Sequence, residues 1–218
     1  MCACFLKFDK QVLLHSVQLL MIRYFIFLWI FTGMFFLPAY SQNSVDSLKM
    51  ELTKNTDKKA CLILNYEIAR QSWPDGTDSA LKYISKAAEM ASDLCDTLYL
   101  ARSYAFSADL NLYRGEYPLA LDYAQKGSVL AEKTGDYKTL AYTYNIMARV
   151  YHRQSPEYFD KAVDLNTRAV ILQKQEQDHE GLANSYAYLG DLYSDWIFET
   201  AYNPEKGNEY YSMALEEA

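Results

Sequence analysis

The chain has 218 residues, half of them apolar, enough to bury a substantial core as one or two ordinary domains or as one solenoid. A net charge of −7 with no basic block leaves no footprint for counterion-releasing contact with nucleic acid. The four cysteines, Cys2, Cys4, Cys61 and Cys95, form neither a C-x-x-C nor a Cys/His cluster, which argues against structural zinc. Tyr is abundant at 20 copies, and its amphipathic ring suits helix seams and interaction surfaces without implying a cofactor.

The first segment reads as an address. Tyr24 to Leu37 is an apolar block of 14 residues, preceded by Arg23 and followed by Ala39-Tyr40-Ser41. That order is the basic, apolar and small-x-small arrangement of a secretory signal peptide, and cleavage after Ser41 would leave Gln42 as the mature N-terminus. An uncleaved anchor in the inner membrane, facing the periplasm, is the alternative, since the charge-free stretch continues to Val45. Met21 sits where a compact signal would start, so residues 1–20 read as an upstream extension. Losing residues 1–41 removes three basic residues and one acidic residue and leaves an exported part of charge −9. Residues 42–57 form a lead-in.

Beyond Ser44 apolar residues recur at i, i+3, i+4 and i+7 with no β-alternation, which predicts amphipathic helices throughout. Pro74, Pro118, Pro156 and Pro204 each fall between two helical patterns, and Ser155-Pro156 and Asn203-Pro204 supply an N-cap followed by Pro at the first helical position. After each of these turns comes a small-residue position, Ala87, Gly127, Ala169 and Ala214, spaced by 40, 42 and 45 residues. The helices before the turns repeat as well. Tyr104 to Leu110, Tyr144 to Val150 and Tyr186 to Leu192 align on Ala108, Ala148 and Gly190, small residues where two helices must approach closely. Gly135-Asp136 predicts a helix stop followed by an N-cap.

Asn184-Ser185-Tyr186-Ala187-Tyr188-Leu189-Gly190-Asp191-Leu192-Tyr193 resembles the first helix of a tetratricopeptide repeat (TPR), and Gly115 to Tyr123 resembles its turn and second helix. The resemblance implies an all-α fold, a right-handed α-solenoid of antiparallel helix hairpins over residues 58–218. The repeats would be 58–95, 96–135, 136–177 and 178–218, with a long period of about 40 residues against about 34 in the common form. Ser155 to Phe159 lengthens the third turn and Trp196 to Asn203 the fourth, where Trp196 and Phe198 could pack against a neighbour. The last repeat is expected to lack its cap.

In such a stack the first helices line a concave face. The register puts Arg102, Ala105, Asp109 and Leu112 there from the second unit, Tyr142, Asn145, Arg149 and His152 from the third, and Asn184, Ala187, Asp191 and Ser194 from the fourth. Asn145, Arg149 and His152 could hydrogen-bond an extended peptide on which Tyr142 stacks; a solvated polar face is the alternative. Some TPR proteins clamp a partner's terminal carboxylate with Lys and Asn, but Ala105 and Asp109 occupy those places, so that mode is not implied. His152 and His179 stand on different helices with no nucleophile motif, and no phosphate loop occurs, so no enzyme, cofactor, metal site or small-molecule substrate is expected. Cys61 and Cys95 lie near neighbouring ends of the first hairpin and could form a disulfide in an oxidising periplasm; two buried free thiols are the alternative.

A signal peptide followed by long-period TPR units resembles the periplasmic N-terminal region of Bacteroidetes-type sensor and regulator proteins. The expectation is a protein–protein interaction scaffold or sensory input domain that holds a protein or peptide partner. A free-standing periplasmic assembly factor is the alternative.

Overall fold

A computed structural model of the chain describes residues 44–195, 197–198 and 201–218, with the backbone alone at Asp75. The apolar block, the expected cleavage site at Ser41-Gln42, Cys2, Cys4 and Trp196 lie outside the described residues. Leu48–Ala218 is a compact unit of its own. Among its described residues the regular elements are all helical. α1 ends at residue 54, the helix running through the described residues 44–54, and then come α2 (Lys58–Ser72), α3 (Thr77–Asp93), α4 (Thr97–Tyr113) and α5 (Tyr117–Thr134). The remainder are α6 (Tyr137–Gln154), α7 (Phe159–Glu176), α8 (His179–Ser194) and α9 (Pro204–Glu217). Short 3-10 turns at Trp73–Asp75 and Pro156–Tyr158 join α2 to α3 and α6 to α7.

The corners explain why consecutive helices fold back on each other. Cys95, Gly115, Gly135 and Gln177 each adopt positive φ just past a helix end. The next amide then donates five residues back: Asp96 N to Ala91 O at 2.8 Å, Glu116 N to Asn111 O at 2.9 Å, Asp136 N to Ala131 O at 3.0 Å and Asp178 N to Gln173 O at 2.9 Å. This is the left-handed C-terminal cap that satisfies orphan carbonyls. Asp57, Asp96, Asp136 and Asp178 then cap α2, α4, α6 and α8, accepting from the amides of Ala60, Tyr99, Thr139 and Gly181. Each cap contributes about 1 kcal/mol. At Cys95-Asp96, Gly135-Asp136 and Gln177-Asp178 one left-handed residue and one Asp make the whole corner, and links this short leave the joined helices antiparallel neighbours.

From α2 to α9 each helix packs on the next in sequence, and α4 also packs on α6 and α6 on α8. The result is an all-α solenoid of consecutive hairpins, with α2, α4, α6 and α8 as first helices and α3, α5, α7 and α9 as second helices. Small residues set how closely the layers approach. A Cβ on Gly127 would stand 3.2 Å from the backbone nitrogen of Ala105 and 3.2 Å from Cγ2 of Thr143, so α5 lies against bare α4 backbone. A Cβ on Gly190 would meet the Tyr211 ring at 2.6 Å, the same crowding between α8 and α9. α4 is covered from several sides and buries Ala105 through Leu112 without a break. That unbroken burial is what a helix in the middle of a stack requires. In the long fourth turn Phe198 is buried and packs its ring against Phe159 at 5.0 Å and His152 at 5.1 Å. Asn203 closes that turn, its amide donating to Tyr193 O at 2.8 Å and its side chain capping α9 ahead of Pro204.

Candidate partner-binding groove

The capping aspartates give the first helices a common frame. Counting twelve residues on from Asp57, Asp96, Asp136 and Asp178 reaches Ala69, Ala108, Ala148 and Gly190, all buried small residues. One residue further stand Arg70, Asp109, Arg149 and Asp191, which alternate in charge along the stack. All four line one cavity of about 800 Å³ bounded by α2, α4, α6 and α8. Its aromatic and apolar lining comes from Tyr66 of α2, Trp73 of the turn after it, Phe106 of α4, Tyr142 and Ile146 of α6 and Tyr188 of α8. The volume falls within the 300–1,000 Å³ typical of ligand pockets.

Of the twelve residues expected on the concave face, Asp109, Tyr142, Asn145, Arg149, Asn184, Ala187 and Asp191 line this cavity. Most are nevertheless committed to holding one unit against the next. Asp109 is buried and accepts from the Tyr142 hydroxyl at 2.7 Å and from Arg149 Nη1 at 3.0 Å, so an acid of the second unit ties down two residues of the third. Burial, with the Asp109 carboxylate beside it, pushes the Tyr142 phenol well above its ordinary pKa and keeps it a hydrogen-bond donor. Asn145 is spent at both ends. Its Nδ2 donates to Ser185 Oγ at 2.8 Å and its Oδ1 accepts from Asn166 at 3.0 Å, while Ser185 donates on to Gln173 at 2.7 Å. A peptide contacting Asn145 would first have to break that chain. Asn184 is exposed and has no side-chain hydrogen bond among the described residues, which makes it the most available polar group on the face. Asp191 accepts from Tyr211 Oη at 2.8 Å and remains exposed.

Arg102 and His152 are drawn away from the cavity. Arg102 Nε donates at 2.8 Å to Asp136, the half-buried cap of α6, and so is held at the corner between two units. His152 is 14% exposed and bridges Tyr188 Oη at 2.9 Å and Asp195 Oδ2 at 3.1 Å, a brace from α6 to the end of α8. Burial keeps the Tyr188 phenol above its ordinary pKa. Burial opposes ionisation of Asp195, yet the Ile197 amide and His152 outweigh it and hold the carboxyl below its usual range. His179 Nδ1 instead meets Glu217 at 2.6 Å, tying α8 to α9. Cys61 and Cys95 are both free thiols. Cys61 is half-buried and donates to Asn55 O at 3.4 Å, whereas Cys95 is exposed at its left-handed corner, not buried.

No protein-family model matches the chain, and no curated protein is matched by it. Among solved structures, the crystal structure of BtubC (BKLC) from P. vanneervenii superposes with a TM-score of 0.61 at 17% identity, covering 82% of this chain and 70% of that one. The likeness is one of fold. It agrees with a helical-repeat architecture and assigns no activity.

The whole contribution of the first unit was missed from sequence. Tyr66, Arg70 and Trp73 form one wall of the cavity, and Phe106, Lys138, Glu180 and Tyr188 were also absent from the expected set. The Asp57, Asp96, Asp136 and Asp178 spacing of 39, 40 and 42 residues carries the signal that would have found them. The Tyr-x-x-x-small pattern used for alignment does not occur in α2, so the first unit had no register.

Proposed function

We propose that this chain is a partner-holding module of the TPR type, in which the concave faces of α2, α4, α6 and α8 receive an extended segment of another polypeptide. The observation that carries the proposal is the single cavity of about 800 Å³ crossing all four first helices, with an aromatic floor and polar groups around it. Aromatic rings and arginine are the residue types that dominate protein interfaces. Holding is favoured over catalysis by the one His–carboxylate pair with a hydroxyl beside it. His152 and Asp195 lie outside the lining of the cavity, and burial holds the Tyr188 phenol above its ordinary pKa, so the groove's lining residues pair no base with an ionised nucleophile.

We further propose an exported, periplasmic setting and a role as a sensory input or assembly scaffold. Export rests on the apolar block Tyr24 to Leu37 with its basic and small-residue flanks. Among the described residues no helix is long and apolar enough to cross a membrane.

Capture of partners from periplasmic extract tests the groove. Ala187→Arg, which fills the cavity from α8, is expected to lose the captured protein, while Lys133→Glu on the outer α5 surface retains it. Equal capture by both variants would sink the proposal.

A further inference from the structure

The charged residues of the groove are sorted by helix. Its basic side chains, Arg70, Lys138 and Arg149, come from α2 and α6; Asp178, Glu180 and Asp191 all come from α8. Asp109 lies between the two arginines, but it is 5% exposed and already spent on Arg149 and Tyr142. Arg149 uses one guanidinium nitrogen on Asp109 and is 44% exposed, so most of its five donors remain available. Arg70 reaches only Glu67, at 3.9 Å and on its own helix.

Opposite charges also face each other across the cavity without pairing. Arg149 and Asp191 hold the same register on adjacent first helices and line the same space, yet they form no ion pair with each other. Lys138 and Glu180 likewise share a register, two residues after their capping aspartates, and neither has an ion-pair partner among the described residues. Ionised groups held apart across a cavity keep their fields directed into it, and a ligand with matching charges meets both walls at once.

Resting on the peptide-holding reading above, we infer that the groove selects a two-ended segment. Its occupant is an extended polypeptide stretch with acidic side chains over Arg70 and Arg149, basic side chains over Glu180 and Asp191, and apolar side chains between them on Phe106, Ile146 and Tyr188. Helices about 8–10 Å apart correspond to about three residues of extended chain per repeat. Four units are therefore spanned by about nine residues.

The test uses the full chain and three fluorescein-labelled nine-residue peptides read by fluorescence anisotropy at low salt. One is Glu-Leu-Ala-Leu-Ala-Glu-Leu-Lys-Lys, whose two glutamates stand about two repeats apart; the others replace both lysines with glutamate or both glutamates with lysine. The wild-type chain is expected to bind the two-ended peptide at least fivefold more tightly than either of the others. Arg149→Glu would set two carboxylates together at Asp109, so the charge exchange is made elsewhere. Arg70→Glu with Lys138→Glu should turn the preference to the peptide with four lysines, and Glu180→Lys with Asp191→Lys to the one with four glutamates, each by at least fivefold. An unchanged ranking in both exchanged proteins overturns the inference. Equal affinity for all three peptides, lost together on Ala187→Arg, overturns the charge polarity but leaves the groove reading standing. Absence of saturable binding by any peptide counts against both.

Discussion

The Asp109–Arg149 pair joins the second unit to the third, and its two members sit in different surroundings. Asp109 is 5% exposed and Arg149 44%. Replacing Asp109 with Ala frees Arg149 to swing into water, and the main loss is the dry Tyr142 hydroxyl, about 1–2 kcal/mol for an unmet buried donor. Replacing Arg149 with Ala strands the carboxylate with Tyr142 as its remaining partner. Stranding a fully buried charge costs about 3–5 kcal/mol, and solvent reaching the vacated arginine site reduces this to about 2–3 kcal/mol. Arg149→Ala should therefore be the more damaging change, although arginine is the more exposed partner. For a chain of this size the difference from wild type corresponds to about 5–10 °C in melting temperature. Adding Asp109→Asn to Arg149→Ala removes the stranded charge while leaving an oxygen to accept from Tyr142, so the double variant should recover about half of the loss. The assay is urea and thermal denaturation followed by far-UV circular dichroism, comparing midpoints because repeat arrays need not unfold in two states. A neutral Arg149→Ala, or a double variant less stable than Arg149→Ala alone, would refute the reasoning.

Cys95 and Gln177 hold the left-handed corner position that Gly115 and Gly135 occupy elsewhere, so Cys95→Gly and Gln177→Gly should each stabilise by about 0.5–1 kcal/mol after the extra chain entropy of glycine is counted. Lower denaturation midpoints in both would contradict this account of the corners. Gly127→Val pushes side-chain atoms into the Ala105 backbone and should destabilise by about 2 kcal/mol or more, read in the same melts. Asp195 has its folded pKa depressed, so its contribution is present above the unfolded value of about 3.9 and is lost as pH falls through the folded value. Stability measured from pH 5 down to pH 3 should accordingly fall less steeply in Asp195→Asn than in wild type. Export should yield a mature chain beginning at Gln42, and intact mass of protein recovered from the periplasm checks that.

What could be read from sequence was local. Pro204 follows Asn203 as helix start after cap, Gly135 stops α5 and Asp136 caps α6, and Ala87, Gly127 and Ala169 are buried where the small-residue spacing placed them. Each of these depends on a few neighbouring residues and a helical period. The fate of the inner-face polar residues depends instead on partners far along the chain. Arg102 meets Asp136 across 34 residues, Asn145 meets Ser185 across 40 and His152 meets Asp195 across 43. A helical period puts a residue on the inner face but does not tell the seam between two helices from the open groove, and a few degrees of rotation decides between them. That is why Asn145, Arg102 and His152 became braces while Asn184 remained available. Arg70 and, just past its helix, Trp73 were missed for a different reason: α2 shares the aspartate cap of the other first helices but not their tyrosine pattern.

Photo-crosslinking from single positions tests the central claim most directly. A benzophenone side chain placed at Asn184, on the concave face, is expected to cross-link a partner polypeptide in cells, and the same probe at Lys133 on the outer surface is not. Cross-links of equal yield from both positions, or from Lys133 alone, would contradict the claim that the groove across α2, α4, α6 and α8 is where this protein holds its partner.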